Sequence, residues 1–170
     1  MAIREIRIYG DPVLREKAEP VNGVDDEVRA LARDMLDTLA DADGVGLAGP
    51  QVGVARRVIV VHPPAPEPDE VREEPRVLVN PVIVEKGGSV VAAEEGCLSI
   101  PEVYETVKRP DRVRIRAIGL DGEDFEISAE GMTSRILQHE IDHLDGVLFI
   151  DRIGPMRRAL LKKKLHAFLE

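Results

Sequence analysis

The run His139-Glu140-Ile141-Asp142-His143 sets two imidazoles four residues apart, with a carboxylate beside the first. On an α-helix, at ~100° per residue, positions four apart fall within about 40° of each other, so both rings leave the same face. Two imidazoles can hold a divalent ion, the ion can activate a water, and the neighbouring carboxylate can take the water's proton. That is the mechanical content of the HExxH pattern.

Two imidazoles do not close a metal site, so a third ligand must come from elsewhere. The chain continues His143-Leu144-Asp145-Gly146-Val147-Leu148-Phe149. The glycine stands where a metzincin protease has one, but Phe149 occupies the position of that group's third His. A gluzincin takes a downstream Glu, and only Glu170 follows Glu140. His62 lies beside a proline run and His166 on a basic tail, neither a setting for a buried ligand. Cys97, the single cysteine, remains, within Glu94-Glu95-Gly96-Cys97-Leu98-Ser99-Ile100-Pro101. A lone cysteine is more often a small buried hydrophobe. Here Gly96 allows close backbone approach, and the polar and proline neighbours do not read as a core strand. Two His and one Cys with an open fourth position make a sound catalytic metal site.

Three segments in this order resemble the peptide deformylase family: Gly44-Val45-Gly46-Leu47-Ala48-Gly49-Pro50-Gln51, then Glu95-Gly96-Cys97-Leu98-Ser99, then Gln138-His139-Glu140 through His143. The opening Tyr9-Gly10-Asp11-Pro12-Val13-Leu14-Arg15 is also similar to the family's start, so the likeness covers nearly the whole chain. One departure is Gly49, where many members have Ala; the lost methyl is expected to loosen the loop.

The resemblance implies a substrate, the N-formyl-methionyl end of a nascent polypeptide, and products, formate and a free amine. It implies one divalent ion per chain on Cys97, His139 and His143. A thiolate with two imidazoles accepts Fe(II), Zn(II), Ni(II) or Co(II); the family points to Fe(II) first and Zn(II) second. Glu140 would take a proton from water and return one to the leaving nitrogen. The Gln51 side-chain amide and the Leu98 backbone N–H would hold the developing oxyanion. Val45 and Gly46, with Gly96 from the other side, would hold the peptide backbone as an added strand. Arg109 falls where the family has an Arg near the peptide exit, and a plain surface Arg is the alternative. Met132 and Ile136 lie seven and three residues before His139, so they share its face. They are read as core, or as walls of an apolar slot for the formyl-Met side chain.

Composition bounds the rest. The 170 residues suit one domain with a sizeable core, built of Val, Ile, Leu and Ala because aromatics are only 3% and Trp is absent. A net charge of −9 with pI near 5.0 argues against general DNA or RNA binding. One cysteine excludes an internal disulfide and permits a reducing compartment. No run is apolar enough to span a membrane and Met1-Ala2-Ile3-Arg4 opens no signal peptide, so a bacterial cytoplasmic location is expected.

The elements that must position the site follow from spacing. Asp25 caps a helix whose stripe is Val28, Leu31, Ala32, Met35, Leu36 and Leu39, ending near Asp43-Gly44. Short strands are predicted at 57–61, 77–84, 90–93, 113–118 and 125–127, with a turn at Asp121-Gly122. Pro63 through Glu70 reads as an exposed acidic loop. The metal helix should run from about Gly131 to Leu144, stopped by Asp145-Gly146. A last helix starts at Pro155, with Leu161, Leu165 and Phe168 on one side and Arg157, Arg158, Lys162, Lys163 and Lys164 elsewhere. Strands followed by a site-bearing helix give an α+β single domain over residues 1–170, with 155–170 as a C-terminal basic helix. The resemblance implies antiparallel β-sheets packed around a central HExxH-bearing helix.

The basic tail reads as a solvated amphipathic helix or as a weak ribosome contact. Two functional rivals stand beside the deformylase reading. A zincin-type endopeptidase shares HExxH, but Phe149 and the upstream Cys97 count against it. A catalytically silent formyl-peptide or metal-binding module needs neither Glu140 nor Gln51.

Overall fold

Val58-Ile59-Val60-Val61 contains no polar residue, and all four side chains are buried. Successive strand side chains point to opposite faces. Val58 and Val60 pack with Val28, Leu31, Met35 and Leu39, while Ile59 and Val61 pack with Ile136, Leu137, Ile141 and Leu144. This one strand therefore separates two helices, and its double burial explains why its sequence does not alternate.

The computed structural model describes residues 2–169, so Met1 and Glu170, the ends of the expected span and the rejected gluzincin ligand, lie outside the described residues. Helix α1 (Asp26–Asp41) is followed by strands β1 (Gly46–Ala48), β2 (Val58–Val61), β3 (Arg76–Cys97), β4 (Ile100–Ile118) and β5 (Asp124–Glu130). Helices α2 (Gly131–Leu144) and α3 (Pro155–His166) complete the order. The strands form one antiparallel sheet in the order β1-β2-β3-β4-β5, where several sheets were expected.

The helices begin and end where side-chain chemistry places them. Asp25 Oδ1 accepts the Val28 N–H at 2.9 Å, satisfying one of the free donors at the start of α1. Helix α2 spans the predicted residues and ends in Gly146 at φ 74°, where a Cβ would lie 2.6 Å from the Arg15 carbonyl oxygen. From Ser134 to Leu144 every residue of α2 is buried.

Strands β3 and β4 are longer than predicted. The two short runs expected at 77–84 and 90–93 are one 22-residue strand, and the run at 113–118 is the end of a 19-residue strand. Register shifts between Val79 and Val82 and between Gly87 and Val90 absorb Pro81 and the Gly87-Gly88 pair without ending the ladder. Cys97 is the last residue of β3, and it and Gly96 are only partly buried, so the segment is strand but not a core strand.

Helix α3 docks through Leu161 and Leu165, which join Ile100, Val103, Val107 and Phe149, while Phe168 packs edge-on to Tyr9. Three of its cations are tied to the body: Arg157 to Glu105, Arg158 to Asp151 and Lys164 to the Glu102 carbonyl. Asp151 also accepts from Arg15 and from the Leu148 N–H. Burial works to raise the Asp151 carboxyl, but these three donors hold it at about 2, against an ordinary 3.8. A carboxyl depressed in the folded state adds stability above its unfolded pKa and loses it as pH falls through the folded one. Asp151→Asn is therefore expected to cost on the order of 1 kcal/mol at neutral pH, an amount kept small by partial exposure, and progressively less as pH falls through about 2. Urea melts at pH 7 and pH 2 test this; an equal loss at both pH values contradicts it.

Candidate metal centre

Helix α2 presents His139 and His143, and the end of β3 brings up Cys97. The ligand atoms of these three residues lie within 4.8 Å of one another. Cys97 Sγ is 3.4 Å from His143 Nε2, so that nitrogen is the inner one. His139 Nδ1 donates to Glu95 Oε1 at 2.9 Å, which fixes its tautomer and leaves Nε2 facing inward. The two rings meet edge to face at 5.0 Å between centroids, and Phe149 stacks on His139 at 6.0 Å. A wall of the site thus stands where a metzincin would carry its third ligand.

The donor set fits a divalent ion by three observations. Burial and the nearby His139 charge hold His143 well below its ordinary range, so it is a neutral imidazole. Burial opposes a charge on His139 too, yet Glu140, Cys97 and Glu95 together push it well above its ordinary range. That pocket is built to surround a cation. Glu140 Oε1 is buried with no hydrogen-bond partner, as a group awaiting a bound water would be.

Behind the ligands lies a buried ionic layer. Glu95 accepts two bonds from Arg109, at 2.6 and 2.9 Å, and one from Arg135 at 2.7 Å. Asp142 accepts one from Arg109 at 2.9 Å and two from Arg152. Burial acts to raise Glu95, but the His139 N–H and Arg109 hold it down to about 2. The carboxylate therefore stays ionised and keeps His139 turned. Arg109 is 3% exposed and is not among the residues lining the cleft, so its reading as a plain surface Arg is corrected. Its guanidinium is committed to two buried carboxylates, whose charge would otherwise stand uncompensated.

A cleft of about 510 Å³ opens in front of the ligands. Val45, Gly46, Gln51, Gly96, Cys97, Leu98, Met132, Ile136, His139 and Glu140 line it; His143 lies behind. Ile136 is buried and Met132 is 54% exposed, so only the former is core. Gln51 is held rather than loose: its Oε1 accepts the Ala48 N–H at 3.0 Å, and its Nε2 sits 3.1 Å from Ser99 Oγ and 3.4 Å from Cys97 Sγ.

Two glycines are explained by what presses on them. A Cβ at Gly49 would meet the Arg56 and Val54 carbonyl oxygens at 2.6 and 2.7 Å. The glycine permits a tight backbone crossing, and the loop it begins is buried from Gly49 to Val52, so the expectation of a loosened loop is corrected. A Cβ at Gly46 would lie 2.5 Å from Glu140 Oε2 and 2.9 Å from its Cδ. Because the end of a flexible side chain can swing away, Gly46→Ala should fold and load metal normally. It should displace the carboxylate, and misplacement of about 1 Å can cost on the order of 10²-fold. Unchanged kcat/KM in a metal-loaded Gly46→Ala protein would show that the carboxylate's position does not matter.

Sequence reasoning missed Glu95, Arg135, Asp142, Arg152 and Ser99 as parts of the centre. Glu95 carried a signal, since residues two apart on a strand share a face and Cys97 is two further on. Asp142 lies between the ligand imidazoles. Nothing in the sequence announced which arginines reach them.

A family model described as polypeptide deformylase matches residues 3–159. A peptide deformylase of Alkalilimnicola ehrlichii is 48% identical over 98% of this chain and 90% of its own length. The crystal structure of a peptide deformylase from Legionella pneumophila superposes with a TM-score of 0.86 at 43% identity, over 98% of this chain and 95% of that one. A class I type b peptide deformylase from Acinetobacter baumannii, solved with Met-Ala-Ser bound, gives 0.83 at 37% identity over 89% and 100%.

Proposed function

Because the chain belongs to the peptide deformylase family, a group of metal-dependent hydrolases that remove the N-formyl group of nascent polypeptides, we propose that its own Cys97, His139 and His143 hold the ion and that the cleft before them receives formyl-methionyl peptides. The observation that carries the reading is the buried, unpartnered Oε1 of Glu140 beside the three converging ligand atoms.

When bound, the divalent ion supplies Lewis acidity that activates a water at neutral pH. Glu140 accepts that water's proton and delivers one to the leaving amine. Burial pushes its carboxyl up to about 7, opposed by His139; a neighbouring dication would draw it lower, into the range of a working general base. The Gln51 Nε2–H and the Leu98 backbone N–H donate to the oxygen of the formyl group as it gains charge. Gln51 is suited to this because its other end is fixed on the Ala48 N–H. Val45 and Gly46 pair with the peptide backbone on one side and Gly96 on the other, while Met132 and Ile136 flank the methionine side chain. The relative solved with Met-Ala-Ser supports a peptide in the corresponding cleft.

Fe(II) suits the mixed thiolate and imidazole set, with Zn(II) as the alternative. The architecture is read as a sheet wrapped on a central HExxH-bearing helix in one catalytic domain over residues 1–170. The burial of α2 favours that description. No helix of the described residues is long and apolar enough to cross a membrane, and a bacterial cytoplasmic location is proposed from the substrate. Ribosome contact through helix α3 would rest on Lys162 and Lys163, since Arg157, Arg158 and Lys164 are occupied.

The test is formate release from formyl-Met-Ala-Ser beside digestion of casein. Formate without casein cleavage is expected. Casein cleavage without formate would favour an endopeptidase, and neither activity in metal-loaded protein would favour a silent binding module.

A further inference from the structure

The ionic layer behind the ligands is not closed by buried residues alone. Glu95, Arg109 and Arg135 are all buried, and the two arginines satisfy the carboxylate between them. Asp142 is buried too, but Arg109 gives it only one bond, through Nη1 at 2.9 Å. Its other bonds come from Arg152, Nε to Oδ2 at 2.6 Å and Nη2 to Oδ1 at 2.8 Å. The Arg152 side chain is 40% exposed, so a cation at the surface completes the layer.

The local fold aims Arg152 inward. It ends the 3-10 turn Phe149–Arg152, in which Phe149 stacks on His139 and Asp151 Oδ2 accepts the Leu148 N–H at 2.9 Å. From Arg152 a chain of charge-assisted bonds passes through Asp142, Arg109 and Glu95 and ends on His139 Nδ1. Arg109 is the shared member, giving two bonds to Glu95 and one to Asp142. Glu95 Oε1, the oxygen that accepts from His139, is held by Arg109 Nη2, whereas Arg135 reaches only Oε2. While Arg152 grips both oxygens of Asp142, that carboxylate makes no further claim on Arg109. Without Arg152, a buried carboxylate keeps a single bond, a state costly enough to draw Arg109 toward it. Glu95 Oε1 then loses its brace, and the His139 ring loses the acceptor that orients it.

We propose that Arg152 is a positioning residue of the metal centre: by satisfying Asp142 from the surface it keeps Arg109 on Glu95, and so holds His139 in its ligand orientation. This rests on the reading that His139 is a ligand. Arg152 itself is neither one of the three converging residues nor among those lining the cleft.

Zinc affinity, measured by competition with a chromophoric chelator, reads this role without turnover. By charge alone, loss of a cation near a bound dication would tighten binding. Positioning predicts the opposite sign: Arg152→Gln should weaken zinc by about tenfold, the lower end of what the outer partners of ligating histidines contribute. Arg152→Lys keeps the charge but not the two-pronged grip, and its affinity should lie between those of the parent and the Gln variant; it carries the test if the Gln variant does not fold. Adding Asp142→Asn to Arg152→Gln removes the unpaired carboxylate and should restore affinity to within about threefold of the parent, a coupling expected only of residues acting in one network. Charge alone predicts a loss at that second step. Arg157→Gln strips buried Glu105 of its arginine outside the layer and should leave zinc affinity unchanged. An equal loss there would make the Arg152 effect a general cost of unpaired charge and overturn the proposal. Zinc held as tightly or more tightly by Arg152→Gln, or no recovery in the double variant, also overturns it. Failure of the parent protein to bind zinc instead overturns the ligand reading on which it stands.

Discussion

Glu140→Ala is expected to keep the ion and lose turnover by about 10²–10⁴-fold, the usual contribution of a positioned acid–base group. Glu140 is not among the three converging ligands, so its removal takes no donor from the ion. Its carboxyl is buried against Gly46, and its Oε1 has no other partner to satisfy. Removing it therefore costs chemistry more than structure. In the parent enzyme the carboxylate must be ionised to accept a proton, so activity should decline as pH falls through its pKa. That decline should lie below about 7, because a bound dication stabilises the ionised form. Turnover and metal content measured on the same preparation decide the matter. Loss of metal along with activity would make Glu140 a ligand, and retention of most activity would remove it from the proton path.

Cys97→Ala should have the other signature, loss of the ion itself. It leaves two imidazoles on one helix and takes away the only donor from β3. Glu95, the nearest carboxylate along that strand, is already committed to His139, Arg109 and Arg135, so it cannot move in as a substitute without stranding buried charge. Formate release should fall to background in protein purified without added metal. Full metal occupancy in Cys97→Ala would remove the thiolate from the ligand set.

The metal helix was legible to the residue. Its two imidazoles, its apolar positions and its stop at Asp145-Gly146 all follow one period, and the structure gives the same bounds, Gly131–Leu144. Helix α1 was legible for the same reason, with Asp25 capping as expected. The long strands were not. Along β4 the buried positions alternate as Val103, Glu105, Val107 and Arg109; two of the four are charged, so the apolar alternation that marks a half-buried strand is interrupted. Those inward charges are paired with Arg157, Glu95 and Asp142, partners far away in sequence. For the same reason Arg109 could be taken for a plain surface residue, when it in fact braces the ligand layer. In the site, residue types and spacing pointed to the three residues whose ligand atoms converge, but the glycines' reasons were hidden. Gly46 and Gly49 are set by what lies across from them, Glu140 and the Arg56 and Val54 carbonyls, and no local pattern records that.

The most direct test of the account is metal analysis of anaerobically purified protein, with X-ray absorption at the metal edge and formate release followed as the ion is removed and returned. The account predicts one divalent ion per chain with one sulfur and two nitrogen neighbours from the protein, and formate release from formyl-Met-Ala-Ser proportional to occupancy. Full formate release from metal-free protein, or a coordination shell without sulfur, would contradict it.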